Sequence, residues 1–435
     1  MRDLVITLIV FGSVPFILKR PYIGVLMWTW LAFMNPHRLT WGFAYSMQFA
    51  MLIALTTLTA LLFSKEQKKI PWTAETVLLL LFTGWMVVTT IFSTYPELAW
   101  PQLEKVAKIQ LMIFVTIIIM QRPERLKLLV WVITLSLAFY GVKGGIFTIV
   151  NGGVYHVRGP GNSFISGNNE IALALVMTVP LLRYLALSAP YVLLRYAMNG
   201  AMVLTALAAM GSHSRGALVG IAAMGFFLWL KSRNKVVTLL LGAFAVYLIV
   251  TIMPPQWFER MQTIQNYEES NSALGRINAW YMAFNLAQSQ ILGGGFEAFK
   301  APMFALYAPE PSRVHDAHSI YFEVLGEHGF MGLGLFLALG LLTWRSASWI
   351  IRRTRKDPEN RWAADLAAMV QVSLVGYAGA GAFLGLAYFD YYYTLIAVVV
   401  ICKATLLSQD AATKAEPASV PAQPPFLRPS SGSAG

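Results

Sequence analysis

The chain has 435 residues, of which 57% are hydrophobic and 12% charged, with a formal net charge of +12. A water-soluble protein is about 45–50% apolar and about 25% charged, so this composition excludes an ordinary soluble enzyme and implies a body in a lipid bilayer. The single cysteine, Cys402, excludes a disulfide framework and a zinc ribbon.

Apolar runs follow one another at 4–18, 22–35, 43–63, 75–92, 102–120, 127–150, 169–187, 193–211, 215–230, 235–253, 319–348, 364–386 and 389–407. Most are long enough to cross a hydrocarbon core of about 30 Å as helices. None has the alternation of a membrane β-barrel strand. The first run lacks a small-residue cleavage site and passes directly into Lys19-Arg20-Pro21, so it reads as a retained helix rather than a signal peptide. The first two runs are short, and can form a hairpin that does not fully cross. The expectation is an all-α polytopic membrane protein of about 12 transmembrane helices. Its organisation is N-terminal helices over 1–253, a loop insert over 254–318, C-terminal helices over 319–407 and a tail over 408–435. The tail is Pro-rich and reads as disordered, and Ser430–Gly435 resembles a cloning scar.

Orientation follows from Lys and Arg, which concentrate in cytoplasmic connections. Lys19-Arg20, Lys65/Lys68/Lys69, Arg122/Arg125/Lys127, Arg183/Arg195, Lys231/Arg233/Lys235 and the stretch Arg345 to Arg361 all fall on one side, with Lys403 and the tail. That side is cytoplasmic, and the net positive charge is largely topological. No basic stripe with interleaved aromatics stands in a soluble module, so nucleic acid is not a partner. The opposite side carries two long connections, 151–168 and 254–318. The second holds Ala273–Gln290, in which Ile277, Trp280, Tyr281 and Phe284 recur at helical spacing, as in a helix lying on a membrane surface. Gly293-Gly294-Gly295 is expected to end it.

The polar residues of that side form four constellations. In Gly211-Ser212-His213-Ser214-Arg215-Gly216, a tight turn joins two apolar helices, with Ser214 a natural N-cap. Arg215 then sits at the positive end of a helix dipole, a poor place for a cation unless an anion such as phosphate binds there. The alternative is an arginine snorkelling to the interface, and His213 reads as a structural neighbour. Arg276, early in the amphipathic stretch, is either a second phosphate clamp or a contact to lipid headgroups. The third group, His315-Asp316-Ala317-His318-Ser319-Ile320-Tyr321, lies where the long loop re-enters the membrane, followed by Glu323 and Glu327. His318 has the titration range of a general base. The alternatives are a structural histidine, or a metal pair of His315 and His318 with Asp316 or Glu323, for which no fuller ligand motif is present. The fourth runs from Arg158 and Asn162 to Asn168-Asn169-Glu170. There Asn168 or Asn169 can cap the next helix, and Arg158 and Asn162 can touch a sugar or a phosphate. Lys105, Lys108 and Lys143 lie near the same face and attract anionic lipid or merely snorkel. Tyr321 and His315 complete the weaker substrate-contact candidates. No phosphate-binding loop of the GxxxxGK[ST] kind, GxSxG elbow or early acidic pair for a divalent metal occurs, which leaves arginines as the cationic element and no cofactor or metal expected.

These residues carry a resemblance. The Ser-x-Ser-Arg-Gly turn, the Gly275-Arg276 pair and the His-Ser-x-Tyr-x-Glu-x-x-Gly-Glu-x-Gly segment from His318 resemble the bacterial O-antigen ligase superfamily of lipopolysaccharide O-antigen ligases, O-antigen polymerases and protein O-oligosaccharyltransferases. The likeness covers roughly 150–335. Asn35-Pro36-His37-Arg38 is similar to the branch described as O-glycosylation ligases. The family often has His-Asn where this chain has His318-Ser319, and Pro-Asn where it has Asn168-Asn169. The resemblance implies a GT-C-like glycosyltransferase of the bacterial inner membrane with a periplasmic active site. It implies metal-independent transfer of a glycan from undecaprenyl diphosphate to an acceptor hydroxyl, foremost a lipid A–core sugar, otherwise a growing polysaccharide or a protein. Arg215, Arg276 and His318 are the residues it carries over as catalytic. A lipid-linked oligosaccharide transporter is the reading from another class, and a non-catalytic scaffold of an assembly complex is a third. The former needs ionisable groups along a central path, whereas here they gather at one face.

Overall fold

The structure is a computed structural model that describes residues 1–66, 68–232, 234–262 and 271–415. Among the described residues it is helical throughout, without strands. Each apolar run of the sequence is a helix: α1 (Arg2–Lys19), α2 (Pro21–Met34), α3 (Phe49–Phe63), α4 (Ala74–Ile91), α5 (Pro96–Ile119), α6 (Pro123–Val150), α7 (Asn168–Ser188), α8 (Val192–Gly211), α9 (Arg215–Lys231) and α10 (Lys235–Ile252). The long connection adds α11 (Pro255–Gln262), α12 (Asn271–Ser289) and α13 (Ala301–Tyr307) before α14 (Ile320–Thr354), α15 (Arg361–Gly381) and α16 (Asp390–Ala415). The Pro-rich tail beyond 415 lies outside the described residues.

Eight helices, α4, α6, α7, α8, α10, α14, α15 and α16, are long and apolar enough to cross a bilayer, so this is a membrane protein. The helices α2 and α3 have 14 and 15 residues, which at 1.5 Å per residue gives only about 21 and 23 Å. Sequence sets the helix starts. Pro21, Pro96 and Pro123 open their helices, where a missing N–H costs nothing. Thr73 and Asn234 cap α4 and α10 by accepting from Thr76 N and Val237 N.

The helices α7 and α16 form the centre, each with 78% of its apolar span buried. Around them α6 packs on α8, α15 on α7 and α9, and α14 on α15 and α4. Small residues allow the close approach expected between helices in lipid: a Cβ on Gly145 of α6 would lie 2.2 Å from the Leu204 carbonyl oxygen of α8. A buried charge is matched rather than left alone. Ser346 Oγ of α14 donates to Glu75 Oε1 of α4, and Lys403 Nζ of α16 donates to Ser346 Oγ at 2.8 Å and lies 3.6 Å from Glu75 Oε1.

One expectation is corrected here. The glycine run does not stop α12, which ends earlier, at Ser289. It pairs instead with a kink in α14, where Gly329 has φ 67° and ψ −173°. The N–H groups of Gly294 and Gly295 donate to the carbonyls of Gly326 and Glu327, each at 2.9 Å, serving acceptors next to the break in the helix ladder. α12 has a second apolar face besides the stripe Ile277, Trp280, Tyr281 and Phe284, and it is the second that is fully buried in the protein. That face is Ala279, Met282, Ala283 and Leu286, each 0% exposed, while Tyr281 and Phe284 are exposed. Both faces of α12 are apolar, so spacing alone does not distinguish the packed face from the outward one.

Candidate active site

Three chain segments converge at one end of the bundle. The first is the turn between α8 and α9. His213 adopts a left-handed conformation, φ 57°, which reverses the chain tightly enough for Ser214 to cap α9. The Ser214 hydroxyl accepts from Ala217 N at 3.3 Å, as the sequence predicts. Arg215 is thereby the first residue of α9, next to its free N–H groups. His213 is buried, and its Nε2 pairs with the Gly153 carbonyl at 2.7 Å. That contact, with Val157 N donating to Gly211 O, fastens the 151–168 loop to the turn. Burial lowers the pKa of His213, the Gly153 bond opposes this, and Arg260 adds to the lowering. His213 thus ties the turn to the 151–168 loop.

The second segment is the start of α12. Arg276 is half-buried, and burial followed by the charge of Arg215 lowers its pKa. The two guanidiniums therefore share one electrostatic environment. Among the described residues no carboxylate ion-pairs with either, and Arg276 Nε is buried without a hydrogen bond. Like charges held near each other, partly desolvated and unneutralised, are costly unless an anion joins them.

The third segment is 308–319. Asn278 of α12 is 4% exposed and binds it at two points. Its Nδ2 donates to the carbonyls of Glu310 and Arg313, and its Oδ1 accepts from Glu310 N, all at 2.9 Å. Trp280 Nε1 donates to Ala317 O at 2.8 Å, and its ring stacks on Phe322 with centroids 4.9 Å apart. These bonds bring His318 to Arg276. Burial is the first cause of a lowered His318 pKa; Asp316 opposes it, while Arg276 and then His315 reinforce it. His318 has φ 41°, and its ring meets that of His315 edge-on, with centroids 5.1 Å apart. The neighbouring Ser319 Oγ is buried and unpartnered.

The weaker candidates do not all join this cluster. His315 does. Tyr321 is the second residue of α14, just beyond it, and donates to the Ala378 carbonyl of α15 at 2.9 Å. Arg158 is exposed. Asn162 donates to the Tyr45 hydroxyl at 2.9 Å. Lys105 lies over the Phe164 ring at 3.9 Å, Lys108 pairs with Glu104, and Lys143 lines a different cleft beside Tyr45. Neither Asn168 nor Asn169 is the N-cap of α7; Gly167 is, without a side-chain cap. Asn168 Nδ2 instead donates to Ser212 O at 2.9 Å, because the neighbouring turn presents a free carbonyl. Glu323 and Glu327 accept from the backbone N–H groups of Ala387 and Glu297, at 2.9 and 2.8 Å. Sequence reasoning missed Arg260 on α11, whose charge is felt by Arg215, His213 and His156. The available signal was a basic residue in a short helix opened by Pro254-Pro255. Among the described residues no three His, Cys, Asp or Glu side chains gather as a metal site.

The cluster can hold an anion between two arginines and take a proton on a neutral imidazole beside them. Residues 200–337, which contain all three groups, match the family model described as O-antigen ligase. Residues 1–189 match a model described as a family of unknown function. No curated protein matches the chain.

Proposed function

We propose that this chain, which belongs to the O-antigen ligase superfamily through residues 200–337, is an inverting glycosyltransferase that works without metal. Its donor is a glycan on undecaprenyl diphosphate, and its acceptor is a hydroxyl, foremost on a lipid A–core sugar. The active site faces the periplasm from the bacterial inner membrane, with about 12 spanning helices and the tail in the cytoplasm. The observation that carries the reading is the pair of half-buried arginines, without carboxylate partners among the described residues, beside His318.

His318 takes the proton of the acceptor hydroxyl as its oxygen attacks the anomeric carbon. The C–O bond to the diphosphate breaks on the opposite face, and its electron pair leaves with the phosphate oxygen. Arg215 and Arg276 stabilise the charge that develops there, a contribution of about 10²–10³-fold for one preorganised donor. The base supplies typically about 10²–10⁴-fold. A cleft of about 350 Å³ begins at Ile320 and Tyr321, just past His318, and extends along α14 and α15 to Trp344. Its largely apolar walls suit a polyprenyl chain leaving the reaction centre.

The test is transfer by purified protein from undecaprenyl-diphosphate-linked glycan to lipid A–core with EDTA present. Wild type is expected to make a larger lipopolysaccharide, and His318→Ala to make none while still binding donor. Undiminished product from His318→Ala removes the reading.

A further inference from the structure

A short helix brings a third arginine to the turn that carries Arg215. The helix is α11. Its Trp257 and Met261, with the preceding Met253, form a buried apolar cluster with Met210 at the end of α8, and Leu218 and Ile221 of α9 pack against that cluster. Trp257 Nε1 donates to the Met210 carbonyl at 3.1 Å. From the other side the 151–168 loop closes on the start of α11: a Cβ on Gly153 would lie 3.0 Å from Met253 Sδ and from Pro254 Cδ. The same loop sets His156 against His213, with ring centroids 4.4 Å apart. α11 is thus fixed over the corner between α8 and α9.

Arg260 stands three residues after Trp257, about one turn along α11, so it shares the face turned to that corner. Arg260 is half-buried, whereas the neighbouring Glu259 is exposed. Leu218 in turn lies about one turn past Arg215 on α9, so α11 meets the side of α9 that Arg215 heads. The charges act in succession: Arg276 on His318, Arg215 on Arg276, and Arg260 on Arg215. Arg260 therefore closes a row of cations at the end away from the base.

In the proposed reaction only one of the donor's two phosphates is bonded to the sugar. That phosphate must lie within reach of the chemistry at His318, and so at Arg276 and Arg215. The other phosphate lies one bridging oxygen further along the row, toward Arg260. We infer that Arg260 is a specificity-determining residue: it makes the site select a diphosphate carrier over a monophosphate one. A diphosphate gives the last cation an anion to hold through paired N–H donors. A monophosphate leaves that end of the row unneutralised, and the repulsion among partly desolvated like charges stays unrelieved. The inference rests on the diphosphate donor of the proposed function and adds to it the residue that enforces the choice of carrier.

The experiment is titration of the full chain in detergent with two glycan-free probes, farnesyl diphosphate and farnesyl monophosphate. Wild type is expected to bind the diphosphate at least about tenfold tighter. Arg260→Gln should bring the two within about twofold by weakening the diphosphate alone, with an unchanged melting temperature. Arg260→Lys, which keeps the charge, should retain part of the preference, a rescue that a purely structural role of Arg260 does not give. Arg276→Gln, nearer the base, should weaken both probes. Equal binding of the two probes by wild type, or an Arg260→Gln protein that keeps the full preference or loses affinity for both probes alike, overturns the assignment. No transfer is measured, so a wild type that shows the preference but makes no glycan product removes the transferase reading and leaves the role of Arg260 standing.

Discussion

Gly275 lies directly against the ring of His315: a Cβ at that position would come within 2.7 Å of His315 Cδ2. The contact links the residue before Arg276 to the residue three before His318. Gly275→Ala gains about 1 kcal/mol of helix propensity and loses about 1–3 kcal/mol to overpacking. The net change in stability is small, because the ring can move aside. Its movement disturbs His318, so the expected result is a nearly unchanged melting temperature with a several-fold fall in turnover. Combining it with His315→Ala should add no further loss beyond His315→Ala alone.

The pH profile of transfer should carry the electrostatics of His318. The imidazole must be neutral to accept a proton, and its pKa is held below the ordinary 6.5. The acid limb of the rate profile is therefore expected below pH 6.5, with activity retained through mild acidification. Arg276→Gln removes a cation that lowers this pKa, so the limb moves to higher pH even as the rate falls. Asp316→Asn removes an anion that raises it, so the limb moves lower. Opposite movements in the two variants are the signature to measure.

Arg215→Lys retains the charge at the head of α9 but loses the two-pronged guanidinium, and turnover is expected to fall by about 10²-fold. Donor affinity should fall less. Full activity in this variant would count against clamping of the diphosphate.

Asn278→Ala removes three hydrogen bonds that hold residues 310–313 to α12. Their loss from a buried position should lower unfolding free energy by about 1–3 kcal/mol. Limited proteolysis should open between 308 and 318, and activity should fall with it.

The helices were legible because a chain this apolar has few other ways to satisfy its backbone in lipid. The Ser214 cap was legible because a hydroxyl followed by a helical run has one obvious local partner. Asn168 misled for the complementary reason. As a cap it reads well, but a carbonyl at Ser212, far away in sequence, offers a better bond. The glycines at 293–295 read locally as a stop signal, while their partner is a kink in α14 more than thirty residues on. Of the cations, Arg215 and Arg276 stood out by position at helix starts. The sequence puts Lys105 and Lys143 on the side of the membrane expected for them, but side is not proximity: Lys105 lies over the Phe164 ring, and Lys143 lines a separate cleft.

The kink in α14 has a consequence for how this sequence can change. Gly293 and Gly329 both hold left-handed backbone, φ 68° and 67°. A Cβ on Gly293 would lie 2.7 Å from Gly329 N, and one on Gly329 would lie 2.1 Å from Ile291 O. Neither position can acquire a side chain while the other segment keeps its path. Related sequences should therefore keep both glycines or abandon both, and a lineage that abandons them must find another route from the loop into the membrane. The pair is a single steric unit written in two places.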